Sequence, residues 1–204
     1  MKPEEIEQES FRIILQELGP HTFSAAELAI VQRVIHATAD FDFARSLRFS
    51  AHAIEQGIAA LRGGCHLLSD VQMIATGVNR PRLERFGCTL HCLVNAPEVI
   101  DTARQSGKTR SEVAMQQFGK QLDGAVVAIG NAPTALFEVL RLFQEEHVQP
   151  ALVIGAPVGF VNALESKQAL TQTSINFITA LGRKGGSTVA VAILNALLRL
   201  VEAG

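Results

Sequence analysis

The pattern of apolar and polar positions changes near residue 65. Before it, apolar residues recur at helical spacing, and the first 60 residues are predicted to form helices. After it, helical segments separate five short runs with the length and composition of β-strands: residues 65–68, 89–94, 125–129, 151–154 and 177–181. The third and fourth runs are continuously apolar, which is typical of strands buried on both faces of a parallel sheet.

The alternation of strands and helices predicts an α/β fold. We expect three layers, α/β/α, around a mainly parallel sheet of about five strands with right-handed crossovers, preceded by an N-terminal helical extension. The 204 residues contain no internal repeat, low-complexity tract or long linker. One domain over residues 1–204 is therefore expected.

Capping patterns mark where several helices begin and end. Ser24, Asn95 and Thr109 are each followed three residues later by a glutamate, as in a capping box. Glycines that match helix ends occur at positions 19, 63, 64 and 107.

A hydroxyl interrupts the apolar stripe of the first helix. Ser10 shares that stripe with Ile6, Ile13 and Ile14 at spacings of three and four residues. It therefore faces a contact, or its hydroxyl bonds back to its own helix, as serine side chains in helices can do. The sequence leaves both open.

Charge and hydropathy exclude two classes of partner. The net charge is -2, so there is no basic field to hold nucleic acid, and the cluster of Arg80, Arg82 and Arg85 is interpreted as a solvated helix face. The longest apolar stretch, residues 189–201, contains Asn195 and Arg199 and is too short to span a bilayer. We expect neither a nucleic-acid nor a membrane partner.

The cysteines indicate the compartment. Three cysteines, with no apolar signal core at the N-terminus, favour a reducing compartment, and we expect a cytoplasmic protein. Cys88, His91 and Cys92 suggest a metal site, but a strand would place the two thiols on one face and the imidazole on the other. Buried free thiols, and no metal, are the prediction.

Glycine-rich segments follow the last three predicted strands, at residues 130–134, 155–159 and 182–187. Ligands bind outside the carboxyl ends of the strands in open parallel sheets, so these segments predict one edge of a binding site. In the last segment, backbone N–H groups at a helix start combine with Arg183 and Lys184 to favour an anion. An ordinary tight turn explains the same residues. There is no phosphate-loop or dinucleotide motif, so no nucleotide cofactor is indicated.

Two charged positions are candidates for chemistry. His36 falls in the last turn of the helix that starts after Ser24, where the helix dipole favours an imidazolium that Asp40 or Asp42 could orient. A histidine that only caps the helix explains this position too. Arg110 stands just inside a helix N-terminus, where it is unfavourable, so a ligand or an acidic partner is expected beside it.

In combination, several segments resemble the precorrin-8 methylmutases of cobalamin biosynthesis. They occur in the family order over nearly the whole chain, and the combination is specific although no single segment is. The segment from Ile35 to Asp42, and Lys184, resemble the cobalt-dependent branch more than the metal-free branch. The matching segments are Ser10-Phe11, Arg33-Val-Ile-His36-Ala-Thr-Ala-Asp40, Thr109-Arg110-Ser111, Gly130-Asn-Ala-Pro-Thr-Ala-Leu136, Pro157-Val-Gly-Phe-Val161 with Glu165-Ser-Lys167, and Gly182-Arg-Lys-Gly-Gly-Ser187.

The resemblance implies an intramolecular methyl shift, from ring carbon 11 to ring carbon 12 of a contracted tetrapyrrole. It also implies a homodimer with the site near the subunit interface. Such a shift needs no external methyl donor and no redox cofactor, so no cofactor is expected.

The resemblance also implies roles for individual residues. His36 would be the catalytic proton donor, with Asp40 as an orienting group. The corrinoid carries many carboxylates, which suit arginine and lysine side chains. The residues expected to bind the substrate are Ser10, Asn79, Arg110, Asn131, Arg183, Lys184, Gly185 and Gly186.

Two alternatives stay open at this stage. A non-catalytic tetrapyrrole carrier on the same fold would keep the anion-binding segments without needing a titrating His36. An unrelated nucleotide-dependent enzyme is the second alternative, and binding of ATP, NAD or S-adenosylmethionine would reveal it.

Overall fold

A six-stranded sheet runs through the centre of the computed structural model, which describes residues 2–203. The strands are β1 Leu47–Phe49, β2 His66–Ser69, β3 Thr89–His91, β4 Val126–Ile129, β5 Leu152–Gly155 and β6 Phe177–Ala180. Their order across the sheet is β1-β6-β5-β4-β2-β3. Only β1 is antiparallel to its neighbour.

Helices cover both faces of this sheet. They are α1 Pro3–Leu18, α2 Ala25–Thr38, α3 Asp42–Ser46, α4 Ala53–Arg62, α5 Gln72–Gly77, α6 Arg80–Arg85, α7 Pro97–Ser106, α8 Arg110–Phe118, α9 Pro133–Glu145, α10 Ala163–Thr171 and α11 Ser187–Ala203, with a 3-10 turn at Gly119–Leu122. Alternate residues of β4 enter two cores. Val126 and Ala128 pack with α2, α4 and α11, and Val127 and Ile129 pack with α8, α9 and α10. The predicted α/β/α arrangement is confirmed.

One strand lies where only helices were predicted. The segment β1 is three residues long and pairs with β6, more than 100 residues away, through partners such as Leu47 and Ala180. A run this short shows no recognisable alternation, so the prediction for the first 60 residues was wrong at this point.

Two predicted boundaries also differ. The run 89–94 ends as a strand at His91, because it pairs only with β2 and the chain then turns, with the Ala96 N–H donating to the Leu93 carbonyl. Helix α7 begins at Pro97 with Ala96 as its N-cap, so the cap predicted at Asn95 was wrong. Proline has no N–H to cap at the first helical position.

The other caps are as predicted. The Ser24 hydroxyl accepts from the N–H of Glu27, and the Thr109 hydroxyl accepts from the N–H of Glu112. Gly107 ends α7 with a left-handed φ of 71°.

The apolar stripe of α1 is largely exposed. Ile6 and Ile13 are 52% and 42% accessible, whereas Ile14 is buried. The Ser10 hydroxyl donates to the Ile6 carbonyl at 2.8 Å, so the second of the two explanations for this serine is confirmed.

A buried carboxylate joins the carboxyl ends of β2 and β4. Asp70 follows β2 and accepts hydrogen bonds from the N–H groups of Gly130, Asn131 and Ala132 at 3.0, 2.9 and 2.8 Å. Burial raises the pKa of Asp70, and the three donors oppose that rise by favouring the carboxylate. Asp70 therefore fixes the loop that follows β4.

A buried ammonium contacts the segment that joins β6 to α11. Lys167 on α10 is fully buried and donates a 2.9 Å hydrogen bond to the Lys184 carbonyl. Burial lowers the pKa of Lys167 to about 8, because the charged form loses its hydration.

Replacing Asp70 with alanine should destabilise the fold. Three buried donors would lose their acceptor, and the free energy of unfolding should fall by about 3 kcal/mol or more. Urea unfolding measures this loss. Asp70→Asn should be intermediate, because an amide oxygen still accepts. Asp101→Ala, at an exposed site on α7, is the control, and equal stability of the two alanine variants would contradict this role.

Lys167 should make the stability of the protein depend on pH. Its pKa is about 8 in the folded protein and near 10.5 ordinarily, so the unfolded chain binds more protons between these values. The unfolding free energy of the wild type should therefore rise with pH across this interval relative to Lys167→Met, by on the order of 3 kcal/mol at most. Denaturation at several pH values tests this, and a pH-independent difference would contradict it.

Candidate active site

The loop that joins β6 to α11, here called the glycine-rich loop (residues 182–187), passes very close to the end of β5. A Cβ at Gly185 would collide with the carbonyl oxygen of Ala156. Gly186 has a φ of +117° and donates its N–H to the same carbonyl at 2.8 Å. Only glycine allows this approach. The Gly186 N–H is thus already bonded within the protein.

His36 lies exposed in the last turn of α2, as predicted. Its ring meets the ring of Phe11 edge-on, with centroids 5.4 Å apart. The guanidinium of Arg33 lies over the same phenyl ring, 4.6 Å from its centroid. Phe11 on α1 therefore contacts both the Arg33 guanidinium and the His36 imidazole. No role was predicted for Phe11, although Ser10-Phe11 is one of the segments that resemble the family.

A groove of about 230 Å³ lies beside His36, between α2, α11 and the start of α6. Its lining includes His36, Asn79 and Thr188, together with three arginines at positions 33, 82 and 199. Cationic side chains suit a ligand with carboxylates.

The protein supplies carboxylates to these arginines. Arg33 and Arg199 both bond to Glu7 of α1, at 2.7 and 3.0 Å. Arg82 pairs with Glu202 at 2.8 Å, so its helix face is not simply solvated as predicted.

Lys184 binds to the segment that follows His36. Its ammonium lies 2.6 Å from Asp40 and 2.7 Å from Asp42. The hydrogen bond between Lys184 and Asp40 lowers the pKa of Asp40 and raises the pKa of Lys184. Asp40 also accepts from the Asp42 N–H at 2.9 Å. The Asp40 carboxylate thus orients Lys184.

Lys184 also borders a second hollow next to the His36 groove. This hollow is lined by Asp40, Val158, Lys184, Gly185 and Thr188, among others. Because Ala37 and Thr188 line both, the two hollows adjoin each other between the end of α2 and the start of α11. The structure thus brings His36, Asn79, Lys184 and Gly185 to one surface.

Arg183 lies beside exposed apolar side chains. Its guanidinium is 5.4 Å from the centroid of the Phe160 ring. Phe160 and Val161 are 85% and 78% accessible, which is unusual for adjacent large apolar residues. No role was predicted for these two residues, although they belong to the segment 157–161 that resembles the family.

Arg110 and Asn131 lie elsewhere along the same sheet edge. Arg110 donates to the Asn95 side chain at 3.2 Å, and Asn131 gives its backbone N–H to Asp70. Among the described residues, neither lines the His36 groove or the adjoining hollow. Within the residues that the structure describes, neither Arg110 nor Arg183 forms an ion pair with a carboxylate. Both guanidinium groups are therefore available to a ligand.

Two other predicted residues have structural partners. Ser10 bonds within its own helix, one residue before Phe11. Asn79 caps α6 by accepting from the Arg82 N–H at 3.1 Å, and it donates its own N–H to Asn195 at 2.8 Å. Asn195, a polar residue in an apolar helix, is thereby explained.

Between residues 2 and 203, no cluster of His, Cys, Asp and Glu could hold a metal ion. All three cysteines are free; Cys88 is buried, and Cys65 and Cys92 are half-buried. None of the described helices is both long and apolar enough to cross a bilayer.

The chain is similar to known proteins over its whole length. The family model for precorrin-8X methylmutase matches residues 5–200. A cobalt-precorrin-8 methylmutase of Priestia megaterium is 47% identical, with 100% of this chain and 91% of that protein covered. The protein of the same name from Salmonella typhimurium is 44% identical, with 97% and 95% covered.

Solved structures agree with these matches. The precorrin-8x methyl mutase of Thermus thermophilus superposes with a TM-score of 0.90 at 47% identity, covering 98% of both chains. A precorrin-8X methylmutase related protein superposes with a TM-score of 0.85 at 30% identity, covering 94% of this chain and 100% of that one. Because sequence and fold match from end to end, this chain belongs to the precorrin-8X methylmutase family.

Proposed function

We propose that this protein is a cobalt-precorrin-8 methylmutase, an isomerase of cobalamin biosynthesis. It moves a methyl group from ring carbon 11 to ring carbon 12 of a contracted tetrapyrrole and so forms cobyrinic acid. The observation that carries the proposal is the position of His36, which is exposed beside a groove lined by guanidinium groups. Relatives across the family that bear this enzyme name support the choice of substrate.

The chemistry needs little besides binding and a proton. One carbon–carbon bond breaks and another forms within the same molecule, so no methyl donor, oxidant or reductant enters the balance. A proton placed on the macrocycle promotes the shift, and His36 is its donor. His36 is exposed in the last turn of α2, where its imidazole borders the groove.

Asp40 has an indirect role in this proposal. Its carboxylate binds the Lys184 ammonium and thereby holds the segment after His36 against the glycine-rich loop. It acts on the imidazole through that segment and not through a hydrogen bond of its own.

The carboxylates of the substrate are held by separate groups along the strand ends. Arg183, Lys184 and the Gly185 backbone bind those near His36. Arg110 and Asn131 bind those farther along the edge. Asn79 lines the groove beside His36, and Ser10 supports it indirectly, because it precedes Phe11, whose ring contacts His36. The polar groups of both residues bond within the protein.

We further propose a homodimer with the site near the subunit interface. The exposed Phe160 and Val161 beside Arg183 support this, because a partner or the macrocycle would cover them. Sedimentation equilibrium tests it, and a monomer at working concentration would refute it. Three free cysteines are consistent with action in the cytoplasm.

A carrier that binds the corrinoid without converting it is the competing function. It needs the same cationic groove but no titrating histidine. Turnover of an authentic substrate by the wild-type protein separates the two, because a carrier would return the corrinoid unchanged.

Replacing His36 with alanine should lower turnover by about 10²–10⁴-fold, the usual contribution of a positioned acid. The substrate should still bind, because the groups that hold its carboxylates are untouched. Absorbance changes of the corrinoid report both quantities. His52→Ala removes another exposed histidine, at the start of α4, and is the matched control.

His36→Asn sharpens this experiment. Asparagine keeps a hydrogen bond but cannot donate a proton as imidazolium. An inactive variant that still binds supports proton donation. Near-normal turnover would refute it, and a fully active alanine variant would show that His36 takes no part in the reaction.

Replacing Arg110 with alanine should weaken substrate binding about tenfold to hundredfold, the range for one charge-assisted hydrogen bond. The fold should be unaffected, because the side chain is exposed and bonds only to Asn95. Titration of the folded variant measures the change, with the exposed Arg62→Ala as control. Unchanged affinity would remove Arg110 from the site.

A further inference from the structure

The buried lysine on α10 has no role in the chemistry described above. Lys167 has no solvent-accessible surface, and its ammonium donates to the Lys184 carbonyl at 2.9 Å. Burying an amine is costly, whereas an apolar side chain would fill the same space without that cost. The position therefore calls for an explanation beyond packing, and its hydrogen-bond partner suggests one.

That partner, the Lys184 carbonyl, belongs to the part of the glycine-rich loop that makes no hydrogen bond to other backbone groups of residues 2–203. The carbonyl of Arg183 accepts from the Gly159 N–H at 3.1 Å, and the Gly186 N–H is bonded to the end of β5. Lys184 lies between these two points. The Lys167 ammonium binds its carbonyl and so completes the fixation of the loop.

The side chain of Lys184 reaches the segment that follows α2, the helix that carries His36. Lys184 contacts Asp40 and Asp42 at 2.6 and 2.7 Å, just beyond the end of α2. Exposed ion pairs contribute little stability by themselves. The geometry of these contacts therefore depends on where the backbone of Lys184 is held, and the hydrogen bond from Lys167 is one of the contacts that hold it.

We propose that Lys167 is a positioning residue, which sets the glycine-rich loop against the segment that follows His36 by holding the Lys184 carbonyl. The inference rests on the proposed function, because that function gives His36 and the loop their roles. With Lys167 in place, Lys184 meets the two aspartates, and Arg183 faces the substrate. A largely protonated amine beneath the loop also adds positive charge where carboxylates bind.

Lys167→Met tests this by removing the ammonium while keeping an apolar stem of similar length. Amide hydrogen exchange of residues 182–187 should become faster by about tenfold to hundredfold, as for loss of one hydrogen bond to a charged group. The catalytic rate constant should fall by a similar factor in a protein that remains folded. Lys120→Met, at an exposed lysine, should change neither quantity.

Lys167→Gln gives a graded comparison, because its amide can still donate to the carbonyl. It should recover part of the loop protection and part of the turnover. It also takes the place of the methionine variant in every measurement if that variant does not fold.

A double-mutant cycle with Lys184→Ala separates positioning from simple stabilisation. If Lys167 acts through Lys184, the second substitution should cost much less turnover in the Lys167→Met protein than in the wild type. Additive losses would overturn the proposal. So would wild-type exchange of the loop in folded Lys167→Met.

Failure of the proposed function would look different. Hydrogen exchange is measured on the free protein and needs no reaction. A fully active His36→Ala protein would refute the proposed role of that histidine, whatever the exchange of the loop shows.

Discussion

The glycine-rich loop passes so close to the end of β5 that a side chain at Gly185 would overlap the carbonyl oxygen of Ala156. This close approach sets the height of the loop above the sheet edge. From that height Lys184 reaches the end of α2, and Arg183 reaches Phe160. A larger residue at Gly185 would push the loop outward and would break both contacts at once.

Asp70 has the equivalent effect two strands away. Its three hydrogen bonds fix the loop after β4 as the Ala156 carbonyl fixes the loop after β6. Both devices use backbone groups at the carboxyl ends of parallel strands, where ligands bind in open sheets. The edge is therefore rigid before a substrate arrives, which lowers the entropy that binding must overcome.

The charges around His36 are balanced within the protein. The groove arginines pair with carboxylates of two helices: Arg33 and Arg199 with Glu7 of α1, and Arg82 with Glu202 of α11. Lys184 pairs with Asp40 and Asp42, which follow α2. This pairing relieves repulsion among cations that lie close together. A substrate with many carboxylates can join or replace these partners.

The sequence by itself determined the layers of the fold and the position of the candidate histidine. The apolar runs that became β4 and β5 and the caps at Ser24 and Thr109 are local signals, so they could be recognised without the fold. Placing His36 at a helix end needed only the start of α2 and its length. Its assignment as the catalytic residue came from the family resemblance and not from periodicity.

The tertiary structure decided what those residues touch. Strand β1 depends on pairing with β6, and Asp40 meets Lys184 across 144 positions of the chain. Lys167 looks like any surface lysine in the sequence, yet it is buried beneath the loop. Such partners are set by how the helices pack around the sheet, and local patterns of hydrophobicity carry no information about contacts between distant segments.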